Sequence, residues 1–196
     1  KTHHLIVIPG LNDDAKINTI IFSLVLRRLK NNPNFSVLIH MVHWRDGEDF
    51  QPKLKRILEL AKEKKKTGLV SILGTSAGGA AAFNALCEAP NIFHKAINVC
   101  GRLRRGAGKP TLDFAARTSP AFKQSVLLFE SREKQLPLSL KKRMMSIRPF
   151  FGDELVPANA AILEGALNKN VYVGEHMIGI GTALLFPQQI VNFLLN

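Results

Sequence analysis

The 196-residue sequence predicts a three-layer α/β/α sandwich with a mostly parallel sheet of about six strands, and three observations carry that expectation. Short apolar runs alternate along the chain with segments of helical period, the pattern of parallel strands joined by right-handed helical crossovers. The run around Leu69, Val70, Ile72 and Leu73 suits a strand covered on both faces. Directly after it, Gly74-Thr75-Ser76-Ala77-Gly78 passes into a helix of small residues, which sets a serine on a strand-to-helix turn.

Taken in order, residues 4–9 (HLIVIP) read as the first strand, ending in a turn from Gly10 to Asp14. A helix follows, with Asp14 or Asn18 as its expected cap, and Ile17, Ile20, Ile21, Leu24, Val25 and Leu29 recur along it with helical period. Residues 35–42 form a second strand, residues 43–49 a polar loop, and a basic amphipathic helix runs to Lys66 with Leu54, Ile57, Leu58 and Ala61 inward. After the serine strand and its helix (77–88), residues 93–100 give a fourth strand. Residues 121–133 read as helix, with 125–130 (SVLLFE) open to a strand; 144–150 form a fifth strand, 158–167 a helix, 170–173 a sixth strand and 182–195 a closing helix. No repeat or linker divides the chain, so residues 1–196 are expected to form one domain, with 101–120 as a short cover segment.

Composition narrows the classes. A hydrophobic content of 46% fits a globular protein, and no apolar run approaches the ~20 residues of a membrane span. Cys87 and Cys100 are expected as buried free thiols, in keeping with a cytoplasmic location, and no Cys/His spacing suggests zinc. The net charge of +12 gathers at 53–66, at 102–109 and at 141–143. Glu59 and Glu63 interrupt the first cluster as on a solvated helix face, and one Trp and one Tyr offer no stacking platform, so nucleic acid is not expected as a partner.

Three stretches carry a family resemblance: residues 6–13 (IVIPGLND), residues 74–79 (GTSAGG), and FFGDELVP followed by VYVGEHMIG in the C-terminal quarter. Together they resemble the oxyanion loop, nucleophile elbow, and acid and histidine loops of the α/β-hydrolase superfamily, over most of the chain. The chain is similar to the small, nearly lidless serine hydrolases and esterases, and the resemblance implies that the larger relatives' first strands and substantial cap domain are missing from it. The resemblance implies a minimal α/β-hydrolase fold and a Ser76–His176–Asp153 catalytic triad, in the family's order of serine, acid, histidine. It also implies an oxyanion hole from the backbone N–H groups of Leu11 and Ala77.

The residue types suit that chemistry. A serine hydroxyl attacks a carbonyl only when an imidazole takes its proton, and a carboxylate fixes the imidazole's tautomer. Among rivals, His43 follows a strand but precedes the serine; Glu154, Asp46 and Asp49 compete with Asp153; Asp13 and Asp14 read as helix-start residues; Glu175 reads as solvated. The expected activity is cleavage of a small-molecule carboxylic ester or thioester with no cofactor. A noncatalytic binding protein on the same scaffold and a basic binder of nucleic acid or an anionic surface are the alternatives. Arg102, Arg104, Arg105 and Lys109, set among glycines in the cover segment, are expected either to draw anionic substrates or to be plain surface charge.

Overall fold

A computed structural model describes residues 2–14 and 16–196, and the side chains of residues 16–19 lie outside that description. Among the described residues the strands β1 (Thr2–Ile8), β2 (Phe35–Ile39), β3 (Gly68–Thr75), β4 (Phe93–Val99), β5 (Met144–Pro149) and β6 (Leu167–Val171) form a six-stranded sheet in the order β2-β1-β3-β4-β5-β6. All five pairings are parallel. The chain steps outward from β1 to β2, then returns to add β3 on the other side. That reversal opens a crevice at the carboxyl ends of β1 and β3, where open α/β sheets bind ligands.

Alternation along the strands divides the core into two layers. Ile6, Ile8, Val70 and Ile72 pack under α3 (Phe50–Lys65), α4 (Gly78–Glu88) and α6 (Pro120–Glu133), whose inward residues include Leu54, Ile57, Ala81, Phe83 and Phe129. Leu5, Val7, Leu73, Ile97 and Ile147 face the other way, onto α2 (Arg27–Lys30), α9 (His176–Leu185) and α10 (Gln188–Leu195). The small residues of α4 have a direct cause: a Cβ on Gly74 would lie 1.9 Å from the Gly78 carbonyl oxygen, and one on Gly78 would lie 2.3 Å from that of Ile8. Only glycine at both positions lets β3 turn into α4 this closely against β1.

Several elements differ from the sequence expectation. The first helix is divided into α1 (Lys16–Val25) and α2, and Ile20, Ile21 and Leu24 on its apolar face are 62%, 53% and 61% exposed. Its start falls partly on Ala15, outside the described residues, so the Asp14 cap is not described; Asn18 lies inside α1. The second strand ends at Ile39. Residues 158–167 form only α8 (Ala158–Ala161), because Gly165 takes a positive φ of 83° and the Asn168 amide bonds the backbone of Leu163, ending the helix. β6 starts earlier as a result, at Leu167. The closing helix is two, α9 and α10, parted at Phe186 and Pro187, where proline supplies no N–H to continue the ladder. Between β4 and α6 the chain is irregular apart from α5 (Leu112–Ala115), and α7 (Leu138–Lys141) precedes β5. No single helix among the described residues is long and apolar enough to cross a membrane.

A buried histidine at the amino end of the sheet makes stability depend on pH. His3 bonds the Ser71 hydroxyl at 2.9 Å, and burial, reinforced by His94, His4 and Lys95, lowers its pKa from 6.5 to about 4. The unfolded chain therefore binds a proton at His3 that the folded chain refuses, and stability rises with pH between those two values. The unfolding free energy is expected to fall as pH drops from about 6.5 to about 4, by up to the order of 3 kcal/mol from this group, and to be read as a lower urea midpoint. His3→Gln should remove that part of the slope; a slope as steep as that of the unmodified chain would assign the acid sensitivity to other groups.

Candidate active site

The turn after β3 holds Ser76 with a positive φ of 51°, unusual for a residue with a side chain, and the Ser76 N–H donates to the Val99 carbonyl at 2.9 Å. This backbone raises the hydroxyl above the sheet edge. The loop after β5 carries Asp153, whose Oδ1 accepts the N–H groups of Leu155 and Val156 at 2.9 and 2.8 Å. His176 begins α9 after the loop that follows β6, instead of standing free in that loop. Its backbone N–H donates to Glu154 Oε2 at 2.8 Å, and Glu175 before it takes a φ of 72°.

These three loops bring the side chains into one line. His176 Nε2 lies 2.9 Å from Ser76 Oγ, and His176 Nδ1 lies 2.9 and 3.1 Å from the two Asp153 oxygens. Across this short chain of bonds, 100 residues separate serine from histidine. The imidazole is 1% exposed, so water competes little for either nitrogen. Beside Ser76, the turn after β1 brings Gly10 so close that a Cβ there would lie 3.0 Å from the serine Cβ. Among the described residues no hydrogen bond engages the N–H of Leu11 or of Ala77.

The expected rivals have other partners. His43 has a φ of 57° and pairs with Asp14. Asp46 pairs with Lys53, and Asp49 accepts from Gln124. Glu154 is bonded to the His176 backbone, and Glu175 is exposed. Asp13 is not a helix cap: its carboxylate, 3% exposed, accepts the N–H groups of Val42, His43 and Trp44 at 2.7, 2.8 and 3.4 Å. Burial raises its pKa and those three donors oppose the rise. Trp44 Nε1 donates to the Pro9 carbonyl at 3.0 Å, so the turn after β1 is fastened twice to the loop after β2. Sequence reasoning missed this clamp; the one signal was a lone Trp in a polar loop.

Arg102 also escaped a correct reading. It is 1% exposed, and its guanidinium donates to the carbonyls of Arg105, Pro110 and Leu155 at 2.6, 2.7 and 3.1 Å, fastening residues 102–110 to the loop that bears Asp153. Arg104 pairs with Glu133, and Arg105 lies 3.4 Å from Glu130. Arg102 and Arg104 are thus taken up by the protein itself, whereas Arg105 stays largely exposed as surface charge.

A cavity of about 660 Å³ opens at Ser76 and His176. Its wall is mostly apolar, with Phe22, Ile39, Met41, Phe122 and Ile180 among its residues. Ile21, Phe114, Leu155 and Met177, from four separate segments, also line it and are 45–66% exposed, so the mouth is apolar as well.

No protein-family model matches the chain, and no curated protein matches its sequence. Solved structures do. Est1E from Butyrivibrio proteoclasticus superposes with a TM-score of 0.64 at 15% identity, over 100% of this chain and 90% of that one. A monoacylglycerol lipase from Paleococcus ferrophilus gives 0.66 at 13% identity, over 97% and 93%. A hydrolase from Oleispira antarctica, olei00960, gives 0.66 at 11% identity, over 100% and 92%. The chain has the α/β-hydrolase fold. In an α/β-hydrolase fold the strand-to-helix turn that bears Ser76, the β5 loop that bears Asp153 and the β6 loop that leads to His176 all open at one end of the sheet, which is where this cavity lies.

Proposed function

We propose that the chain is a serine hydrolase that cleaves a carboxylic ester or thioester, with Ser76 as nucleophile, His176 as general base and then acid, and Asp153 as the group that orients the imidazole. The hydrogen-bonded line from Ser76 through His176 to Asp153, at the floor of an apolar cavity, is the observation that carries this reading. Ser76 Oγ attacks the carbonyl carbon as its proton passes to His176 Nε2. The carbonyl oxygen gains negative charge and is held by the N–H groups of Leu11 and Ala77, which have no competing partner among the described residues. When the bond to the leaving oxygen or sulfur breaks, His176 returns the proton to it, leaving an ester between Ser76 and the acyl group. Water then repeats the sequence, giving up one proton to His176, and releases the carboxylic acid with Ser76 restored.

An alkyl fluorophosphonate tests the assignment directly, since it reacts with an activated serine and not with an ordinary hydroxyl. One equivalent is expected to attach at Ser76, located by peptide mass spectrometry, with matching loss of 4-nitrophenyl butyrate hydrolysis. An unmodified Ser76 together with full hydrolysis would place the reacting group elsewhere.

A further inference from the structure

Resting on the hydrolase reading above, we propose that the site selects esters or thioesters whose apolar chain carries a carboxylate or phosphate away from the scissile bond, and that Arg45 and Arg117 recognise that charge. The acidic and basic side chains in the cavity wall, apart from the His176 imidazole, are Asp13, Arg45, Arg102 and Arg117. Two of them are already occupied. Asp13 is turned onto three backbone N–H groups, and Arg102 onto three carbonyls with the charge of Asp153 nearby.

Arg45 and Arg117 remain, and the backbone brings them to the same side. Arg45 follows Trp44, Arg117 precedes Ser119 by two residues, and Ser119 Oγ donates to the Trp44 carbonyl at 2.6 Å. Arg45 is exposed and makes no hydrogen bond or ion pair among the described residues. The Arg117 guanidinium lies 4.1 Å from the centre of the Phe114 ring and donates to the Phe114 carbonyl at 2.8 Å, which holds it against the wall without neutralising it. Acids near them in the chain are engaged by other side chains: Asp46 by Lys53, Asp113 by Lys123, and Asp14 by His43. A guanidinium meets carboxylate or phosphate with two parallel donors and loses little hydration in doing so. Apolar wall and paired cations together describe an amphiphilic acid, not a plain hydrocarbon ester.

Two matched pairs of esters distinguish an anion on the acyl side from one on the leaving group. The first pair is 4-nitrophenyl hydrogen suberate against 4-nitrophenyl methyl suberate; the second is the octanoate ester of 4-hydroxybenzoate against that of methyl 4-hydroxybenzoate. In at least one pair the anionic-to-neutral ratio of kcat/KM is expected to fall about five-fold or more in an Arg45→Gln/Arg117→Gln variant and to survive in Arg45→Lys/Arg117→Lys. In the unmodified chain the same ratio should shrink as NaCl rises from about 50 mM to about 0.5 M, a measurement that needs no variant to fold. Hydrolysis of the neutral esters with salt-independent ratios, or with ratios unchanged by the glutamines in both pairs, overturns this proposal alone. No hydrolysis of any of the four overturns the hydrolase reading, and this one with it.

Discussion

Ser76→Ala is expected to lower kcat for an activated ester by about a million-fold, the scale seen when a serine hydrolase loses its nucleophile. The substitution removes one oxygen and keeps the Cβ that packs against Gly10. The positive φ of 51° is as accessible to alanine as to serine, and the Val99 bond is made by the backbone N–H, so the fold has no reason to change. What remains is a cavity with its oxyanion donors and an imidazole with nothing to activate. Thermal unfolding measured beside turnover separates the two effects: an unchanged midpoint with extinguished turnover is the expected pair. Turnover within ten-fold of the parent chain would remove Ser76 from the reaction.

Asp153→Asn should cost about four orders of magnitude in kcat, and the geometry says why. Oδ1 accepts from Leu155 and Val156, a pair of bonds that an amide keeps only by leaving its oxygen in that position. The NH2 then takes the place of Oδ2, which lies 2.9 Å from His176 Nδ1. Two donors cannot face each other, so Nδ1 surrenders its hydrogen to Nε2, and Nε2 becomes a donor to Ser76 where an acceptor is needed. The imidazole keeps its place and loses its use. Kinetics on a neutral activated ester check this, and a loss smaller than ten-fold would transfer the orienting role to Glu154, which holds the His176 backbone at 2.8 Å.

Much of this site was legible in the sequence because each proposed reacting residue directly follows an apolar run or opens a helix. Such positions share one end of a parallel sheet whatever the details of packing. Gly74 and Gly78 marked the turn at Ser76 through backbone distances that exclude a side chain. Residues whose role depends on a partner far along the chain were not legible. Asp13 resembled a helix cap, yet its partners lie 29–31 residues away on another strand's loop. Arg102 resembled surface charge, yet three carbonyls bury it. The exposed Ile20, Ile21 and Leu24 show the same limit, since helical period reveals that residues share a face and says nothing of what covers it. At 158–167 the Asn168 amide, bonded to the backbone only five residues back, overrode the helical period.

The clamp made by Asp13 and Trp44 ties the candidate site to one edge of the sheet. β2 is a terminal strand, paired with β1 alone, and the loop beyond it supplies every N–H that Asp13 accepts and the indole that holds Pro9. Edge strands open before central ones, because half of their backbone groups have no ladder to break. Fraying of β2 would loosen the turn that carries Leu11 while β3, β4 and both helical layers keep their own pairings. On warming, turnover is then expected to fall first through a misdirected dipole at the rim of the sheet, ahead of the melting of the core.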